Sequence, residues 1–235
     1  MAVSNTVARP TKKKNYNNMA YVFVLPFVVV FLIFSVYPVF RTLQLSFANY
    51  KGFGDVDYIG FKNYLRVLQD KYFWTALLNT VKIWGVNIVL QLAMAFLLTI
   101  AFSDIKFKIK GLGFFRAVYY LPNIIAATSV AFLFKTLLDW RYGTINQILA
   151  KFGVDQPINW LGQPTTARLS ISLIQTWMWF GNSFIMLMAG VQGINKDYFE
   201  AASIDGAGRW KSFFYITLPL LRPILLYVTI TSLIG

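Results

Sequence analysis

The sequence predicts an all-α fold, a polytopic bundle of membrane-spanning helices, and three observations carry that prediction. Hydrophobic residues make up 57% of the 235 and charged residues only 13%, against roughly 45 to 50% and about 25% in an ordinary soluble domain. Apolar runs near bilayer length recur along the whole chain. All nine acidic residues, Asp55, Asp57, Asp70, Asp104, Asp139, Asp155, Asp197, Glu200 and Asp205, fall outside the apolar centres of those runs, where a carboxylate would meet hydrocarbon.

Residues 1–18 are polar, with Arg9, Lys12, Lys13 and Lys14, and bury too little apolar area to order themselves; they read as a basic tail. The remainder, 19–235, reads as one membrane domain. Its first span covers residues 21–40, long enough to cross a bilayer and too long for the core of a cleaved secretory signal. Residues 41–75 are more polar. Within them Phe61, Tyr64, Leu65, Leu68 and Tyr72 form a helical stripe opposed by Lys62, Arg66 and Lys71, as in an interfacial amphipathic helix. Gly52, Gly54 and Gly60 punctuate the turns that lead into it.

The second span is placed at residues 76–102, the third at 112–138 and the fourth at 168–194. A fifth begins at Leu218 and reaches Gly235 without a polar cap or an anchoring charge, so the domain is expected to continue past the end of the sequence.

Positive charge sets the orientation. The tail and the loop with Lys106, Lys108 and Lys110 are basic, whereas residues 139–166 carry only Arg141 and Lys151. The amino terminus is therefore expected in the cytoplasm, as is the loop 195–217. The formal charge of +13 is spread beside apolar runs and forms no single basic face, which argues for membrane anchoring and against a nucleic-acid partner. The absence of cysteine and histidine removes thiolate nucleophiles, imidazole bases and the usual zinc ligands, so no catalytic or metal-binding residue is assigned.

One stretch stands out, KDYFEAASIDGAGRWKSFFYITLPLLRP at 196–223. Asp197 and Glu200 have capping-box spacing, Asp205 and Gly206 break the helix they start, and a second helix from Ala207 places Trp210, Phe213 and Phe214 on one side. Pro219 is expected to open the next span. Such a helix pair suits either a protein partner or an ordinary membrane-surface hairpin. The order of residues is more specific. Glu200, Ala201 and Ala202, three residues, Gly206, nine residues, then Ile216, Leu218 and Pro219, with Asp205 and Ala207 beside the glycine, resembles the EAA signature of ABC importer permease subunits.

Further segments are similar to the maltose- and oligosaccharide-type sugar permease branch: LPFVVVFLIFSVYP at 25–38, FKNYLRVLQDKYFWTALLNT at 61–80, FFRAVYYLP at 114–122 and GTINQIL at 143–149. The resemblance implies a type I ABC importer permease with a six-helix core, of which five spans lie in this sequence. It also implies a second permease subunit, usually a different chain, two cytoplasmic ATPase subunits that receive the EAA loops, and an extracytoplasmic solute-binding protein. The location implied is a bacterial cytoplasmic membrane, in contact with lipid. ATP and magnesium would belong to the ATPases. This chain has no GxxxxGK(S/T) phosphate loop and no carboxylate at membrane depth for proton or sodium coupling, and it is expected to hold no cofactor of its own.

Polar residues inside spans mark either a path or helix packing. In span four Gln175, Met178, Trp179 and Asn182 lie near one face, amides beside an indole, a set that suits an uncharged sugar ring. From the residues alone helix packing is the better explanation; the resemblance implies solute contact, since the span before the EAA loop contributes to the sugar site and these four fall at corresponding offsets from Glu200. Asn79, Asn87 and Gln91 in span two read as packing. In span three, Pro122 predicts a kink, with Asn123 and Thr128 as further candidates for the path. The outer loop 139–166 is either a docking surface for the binding protein or a simple cover. The expected activity is carbohydrate import by alternating access, without catalysis by this chain. A permease for a polyol or glycerol phosphate compound, and a membrane-embedded enzyme, are the alternatives.

Overall fold

The computed structural model describes residues 17–102 and 111–234. Most of the basic tail, the loop 103–110 with Asp104, Lys106, Lys108 and Lys110, and Gly235 lie outside the described residues. Contacts divide the chain into two units, Met1–Trp74 and Thr75–Gly235.

In the first unit α1 (Asn17–Phe31) and α2 (Tyr37–Ser46) join through a π-turn, Leu32–Val36. Pro38 accounts for the widened turn. It has no N–H to donate and its ring crowds the carbonyl four residues back, so the Tyr37 N–H reaches Leu32 O instead. The segment Met19–Ser46 is long and apolar enough to cross a membrane and contains the whole of the predicted first span. A small antiparallel hairpin follows, β1 (Ala48–Asn49) with β2 (Asp57–Tyr58), in the register Ala48 to Tyr58. Asn63 fixes it by donating from Nδ2 to Ser46 O at 3.0 Å and Ala48 O at 2.9 Å.

The amphipathic helix forms as α3 (Lys62–Gln69), but it ends three residues short of Tyr72, the last of the expected stripe. Asp70 Oδ1 accepts the Tyr72 N–H at 2.8 Å and caps α4 (Lys71–Phe102), so Tyr72 belongs to the next helix.

The second unit is built on α4 and α8 (Pro164–Gln192). A row of polar bonds joins them at constant spacing. Arg168 Nη1 donates to Asn79 Oδ1 at 3.0 Å, Ser172 Oγ to Ile83 O at 3.1 Å, and Thr176 Oγ1 to Asn87 Oδ1 at 3.2 Å, each pair 89 residues apart. Gln91, one turn further along α4, donates from Nε2 to Ser183 Oγ, two turns further along α8, at 2.6 Å. Residue numbers rise together on both helices, so α4 and α8 run parallel, as spans two and four must. All three amides assigned to packing in span two take part. Below them Ala95, Phe184, Leu187, Met188 and Leu221 close an apolar core.

Hydropathy alone does not mark α8 as a span among the described helices. Its Ser170, Ser172, Gln175, Thr176, Asn182 and Ser183 dilute the apolar signal, although its 29 residues suffice in length. Neither is the predicted third span one helix. α5 (Leu112–Ile124) and α6 (Ala127–Leu137) meet at 88°. The kink expected at Pro122 is a full break, because Ile125 and Ala126 are extended and the Ala126 carbonyl starts a new helix by accepting from Ser129 and Val130. Contacts to α8 hold both halves: Tyr119 packs on Phe180 and Phe184, and Phe134 on Trp177.

Between α6 and α8 the outer loop carries α7 (Thr144–Lys151) and turns on Asn146, a residue 8% exposed. Its Nδ2 donates to Trp140 O and Ile158 O, and its Oδ1 accepts from Ile158 N and Trp160 Nε1. Asp139 starts this loop by accepting the Arg141 and Tyr142 N–H groups, and those bonds hold its carboxyl below the usual carboxylate range. Replacing Asn146 with Ala leaves buried donors and acceptors unpaired, and is expected to cost the loop about 2–4 kcal/mol. Limited proteolysis of the folded protein checks this, with cleavage between residues 140 and 160 expected only in the variant. Asn146→Asp retains the accepting half of the set, so a milder effect is expected there.

Candidate functional site: the 196–223 loop and the open face of α8

The loop begins at Asn195, whose Oδ1 accepts the Asp197 N–H at 3.1 Å and caps α9 (Lys196–Ile204). This corrects the capping box expected from Asp197 and Glu200. Asn195 already has the extended backbone of a cap, so Glu200 lies too deep in the helix to reach it. Glu200 and Ala201 are exposed, and Glu200 makes no hydrogen bond or ion pair among the described residues. Asp197, in the first turn, complements the helix dipole.

The helix closes as predicted at Asp205 and Gly206, through a Schellman turn. Gly206 adopts φ +72°, its N–H meets Ser203 O at 3.2 Å, and the Ala207 N–H meets Ala202 O at 2.8 Å. A Cβ at Gly206 would find nothing within 4 Å, so the position demands glycine for its backbone and not for space.

The second helix starts at Arg209, two residues later than expected, capped by Gly208. It runs as α10 (Arg209–Ser212), a π-turn (Phe213–Thr217) and α11 (Leu218–Leu220). Pro219 does not open the next span. As at Pro38, a π-turn just before the proline absorbs the missing N–H and the helix continues past it. The break falls at Leu221, with a bend of 68°, and α12 (Arg222–Ile234) opens on Arg222 and Pro223. The three aromatics also divide. Trp210 stacks on Phe214 and both stay more than half exposed, while Phe213 is buried edge-on against Phe96 of α4, centroids 5.7 Å apart. Ile216 and Leu218 are half-buried and Pro219 exposed.

Two anchors therefore tie an exposed helix pair to the bundle. Phe213 holds it to α4. Leu221, 1% exposed, sits in the core, where its Cδ2 and the Cδ1 of Ile224 press on Gly190 of α8. Through these two anchors the loop is packed on α4 and α8, which are bonded to each other.

The face of α8 opposite its α5 contacts is open. Gln175, Met178 and Asn182 are half-buried and Trp179 is exposed, and none of the four bonds to another residue among those described. They stand about 100° round the helix from Ser172, Thr176, Ser183 and Leu187, which face α4. Asn123 ends α5 half-buried and Thr128 begins α6 exposed, on either side of the break. The structure thus gathers the span-four candidates on one surface and puts the other two at a joint. The α8 partners in the polar row, Arg168, Ser172, Thr176 and Ser183, escaped the sequence reading. Their spacing of four residues at 168, 172 and 176 was the available signal.

Membrane-length helices, a span broken at Ile125 and Ala126, and an exposed helix pair packed on the bundle describe a polytopic membrane subunit. Comparison with known proteins agrees. Residues 92–235 match the model of the binding-protein-dependent transport system inner membrane component family, and the chain belongs to that family. It is 34% identical over 98% of its length to the lactose transport system permease protein LacF of Rhizobium radiobacter, covering 76% of that protein. It is 33% identical over 96% of its length to the trehalose/maltose transport system permease protein MalF of Thermococcus litoralis, again covering 76%. A crystal structure of a bacterial ABC transporter involved in the import of the acidic polysaccharide alginate superposes with a TM-score of 0.75 at 27% identity, over 92% of this chain and 72% of its own. The chain is accordingly a membrane-embedded ABC transporter permease and not an enzyme.

Proposed function

We propose that this chain is one of the transmembrane subunits of an ATP-driven importer that takes up a carbohydrate delivered by an extracytoplasmic binding protein. The observation that carries the reading is the exposed α9 elbow tied through Phe213 and Leu221 to the α4 and α8 pair. It presents Glu200, Ala201, Ala202, Asp205, Gly206 and Ala207 to a partner and passes movement to the helix that bears Gln175, Met178, Trp179 and Asn182. Nucleotide hydrolysis belongs to two cytoplasmic ATPase subunits, which hold the ATP and magnesium; this chain takes no cofactor. A second permease subunit completes the path, and the amino terminus is cytoplasmic, on the side of the basic tail and of Lys106, Lys108 and Lys110.

A carbohydrate cargo is supported by the names of the relatives, for lactose and trehalose/maltose, and by a solved relative in complex with an alginate pentasaccharide-bound periplasmic protein. The open face of α8 carries amides and an indole and no charge between Ser170 and Ile194, which disfavours a phosphorylated cargo. Copurification followed by reconstitution in liposomes tests the proposal. ATP hydrolysis is expected to rise when a carbohydrate-loaded binding protein is added, with no rise for glycerol phosphate compounds. A preparation without any ATPase subunit, or one stimulated only by a phosphorylated compound, overturns it.

A further inference from the structure

Arg116 sits in the second turn of α5, between Leu112 and Tyr119 on one helical face, and both of those neighbours pack against the apolar core. The residue is half-buried, and its Nε and Nη2 are buried and meet no hydrogen-bond acceptor among the described residues. An arginine does not neutralise itself by losing its proton. Burying guanidinium N–H groups without acceptors costs free energy that burial of apolar neighbours must offset.

The helix that carries it is jointed at both ends. Gly111 caps α5 at φ +82°, with open space around it, and Ile125 and Ala126 break it from α6 at 88°. It packs along α8, most tightly at Gly181, where an added Cβ would lie 1.8 Å from the Tyr119 carbonyl oxygen. Arg116 lies about 4.5 Å along the helix from that point, at 1.5 Å per residue.

We propose that Arg116 is a conformational device: a cation whose Nε and Nη2 are held without an acceptor while α5 lies on α8, and more fully hydrated when α5 pivots near the Tyr119 and Gly181 contact during transport. Packing of α5 onto α8 is favoured by Tyr119, Phe180 and Phe184. The buried charge opposes it, which keeps the two arrangements close in free energy and lets a modest push choose between them.

Two measurements on the assembled transporter test this. Arg116→Met keeps much of the side chain's length and removes the charge. The apparent melting temperature is expected to rise by about 2–4 °C or more, and carbohydrate uptake to fall at least about tenfold as the closed packing is over-stabilised. The chain has no cysteine, so Arg116→Cys reports the opening directly. Its labelling by a charged thiol reagent is expected to be at least about tenfold faster with the ATPases closed on nucleotide than in the resting state, since occlusion is expected to hold the reactive form to a minor population. Leu112→Cys, on the same face, serves as the reporter if Arg116→Cys does not assemble. A fall in melting temperature for Arg116→Met, or equal labelling in both states, overturns the proposal. The labelling arm rests on the importer reading and the melting arm does not, so a missing ATPase and an absent switch are separate results.

Discussion

Gly181→Ala is expected to reduce the folded protein in the membrane to a small fraction of its normal level. The added Cβ would lie 1.8 Å from the Tyr119 carbonyl oxygen and 2.4 Å from its carbon. Both are backbone atoms of a packed helix and cannot turn aside as a flexible side chain could. Ordinary overpacking of a core costs about 1–3 kcal/mol, occasionally more, and a clash with backbone belongs at or above the top of that range. Against it stands the intrinsic gain of about 1 kcal/mol for alanine over glycine inside a helix, so the clash wins. Gly85 in α4 supplies the control, because a Cβ there meets nothing within 4 Å. Gly85→Ala is expected to be neutral or to stabilise by up to about 1 kcal/mol. Membrane abundance and the detergent melting temperature of the two variants check the contrast. Equal behaviour would show that α5 does not touch α8 at this point.

The spans and the loop were legible in the sequence for different reasons. Hydropathy finds α4 because its polar residues are few and spaced, and Asn79, Asn87 and Gln91 are legible as packing because amides inside a span need partners. It does not find the break at Ile125 and Ala126, since IIAA is apolar and contains no breaking residue; the bend depends on what α8 offers each half. Pro219 and Pro223 illustrate the same limit. Either could open a span, and the choice falls to Pro223 because Leu221 is claimed by the core and a π-turn excuses Pro219. The capping error at Glu200 is local. Asp197 is a good cap residue, but Asn195 stands two positions earlier and takes the role first. That reassignment changes the functional reading, because it frees the Glu200 carboxylate from any duty inside its own helix.

Gly206 carries the second large effect, and here the expected loss is of coupling and not of folding. Gly206→Val asks a β-branched residue to adopt φ +72°, which costs roughly 1–2 kcal/mol or more, confined to an exposed elbow with open space around it. The protein is therefore expected to reach the membrane near its normal level while uptake falls to background, because the elbow proposed to meet the ATPase changes both path and surface. Gly206→Asn separates those causes. Asparagine tolerates the left-handed conformation better than other side chains, so the Schellman bonds to Ser203 and Ala202 survive while a side chain is added. If the turn itself matters, Gly206→Asn transports well above Gly206→Val; if the partner needs bare backbone at this point, both fail alike. Pairing Gly206→Asn, where uptake remains measurable, with Glu200→Gln then tests whether the freed carboxylate shares the contact. A common surface predicts that the double variant loses less than the sum of the single losses, as neighbouring residues acting on one partner do. Normal uptake by Gly206→Val at normal membrane abundance would remove this loop from the coupling role altogether.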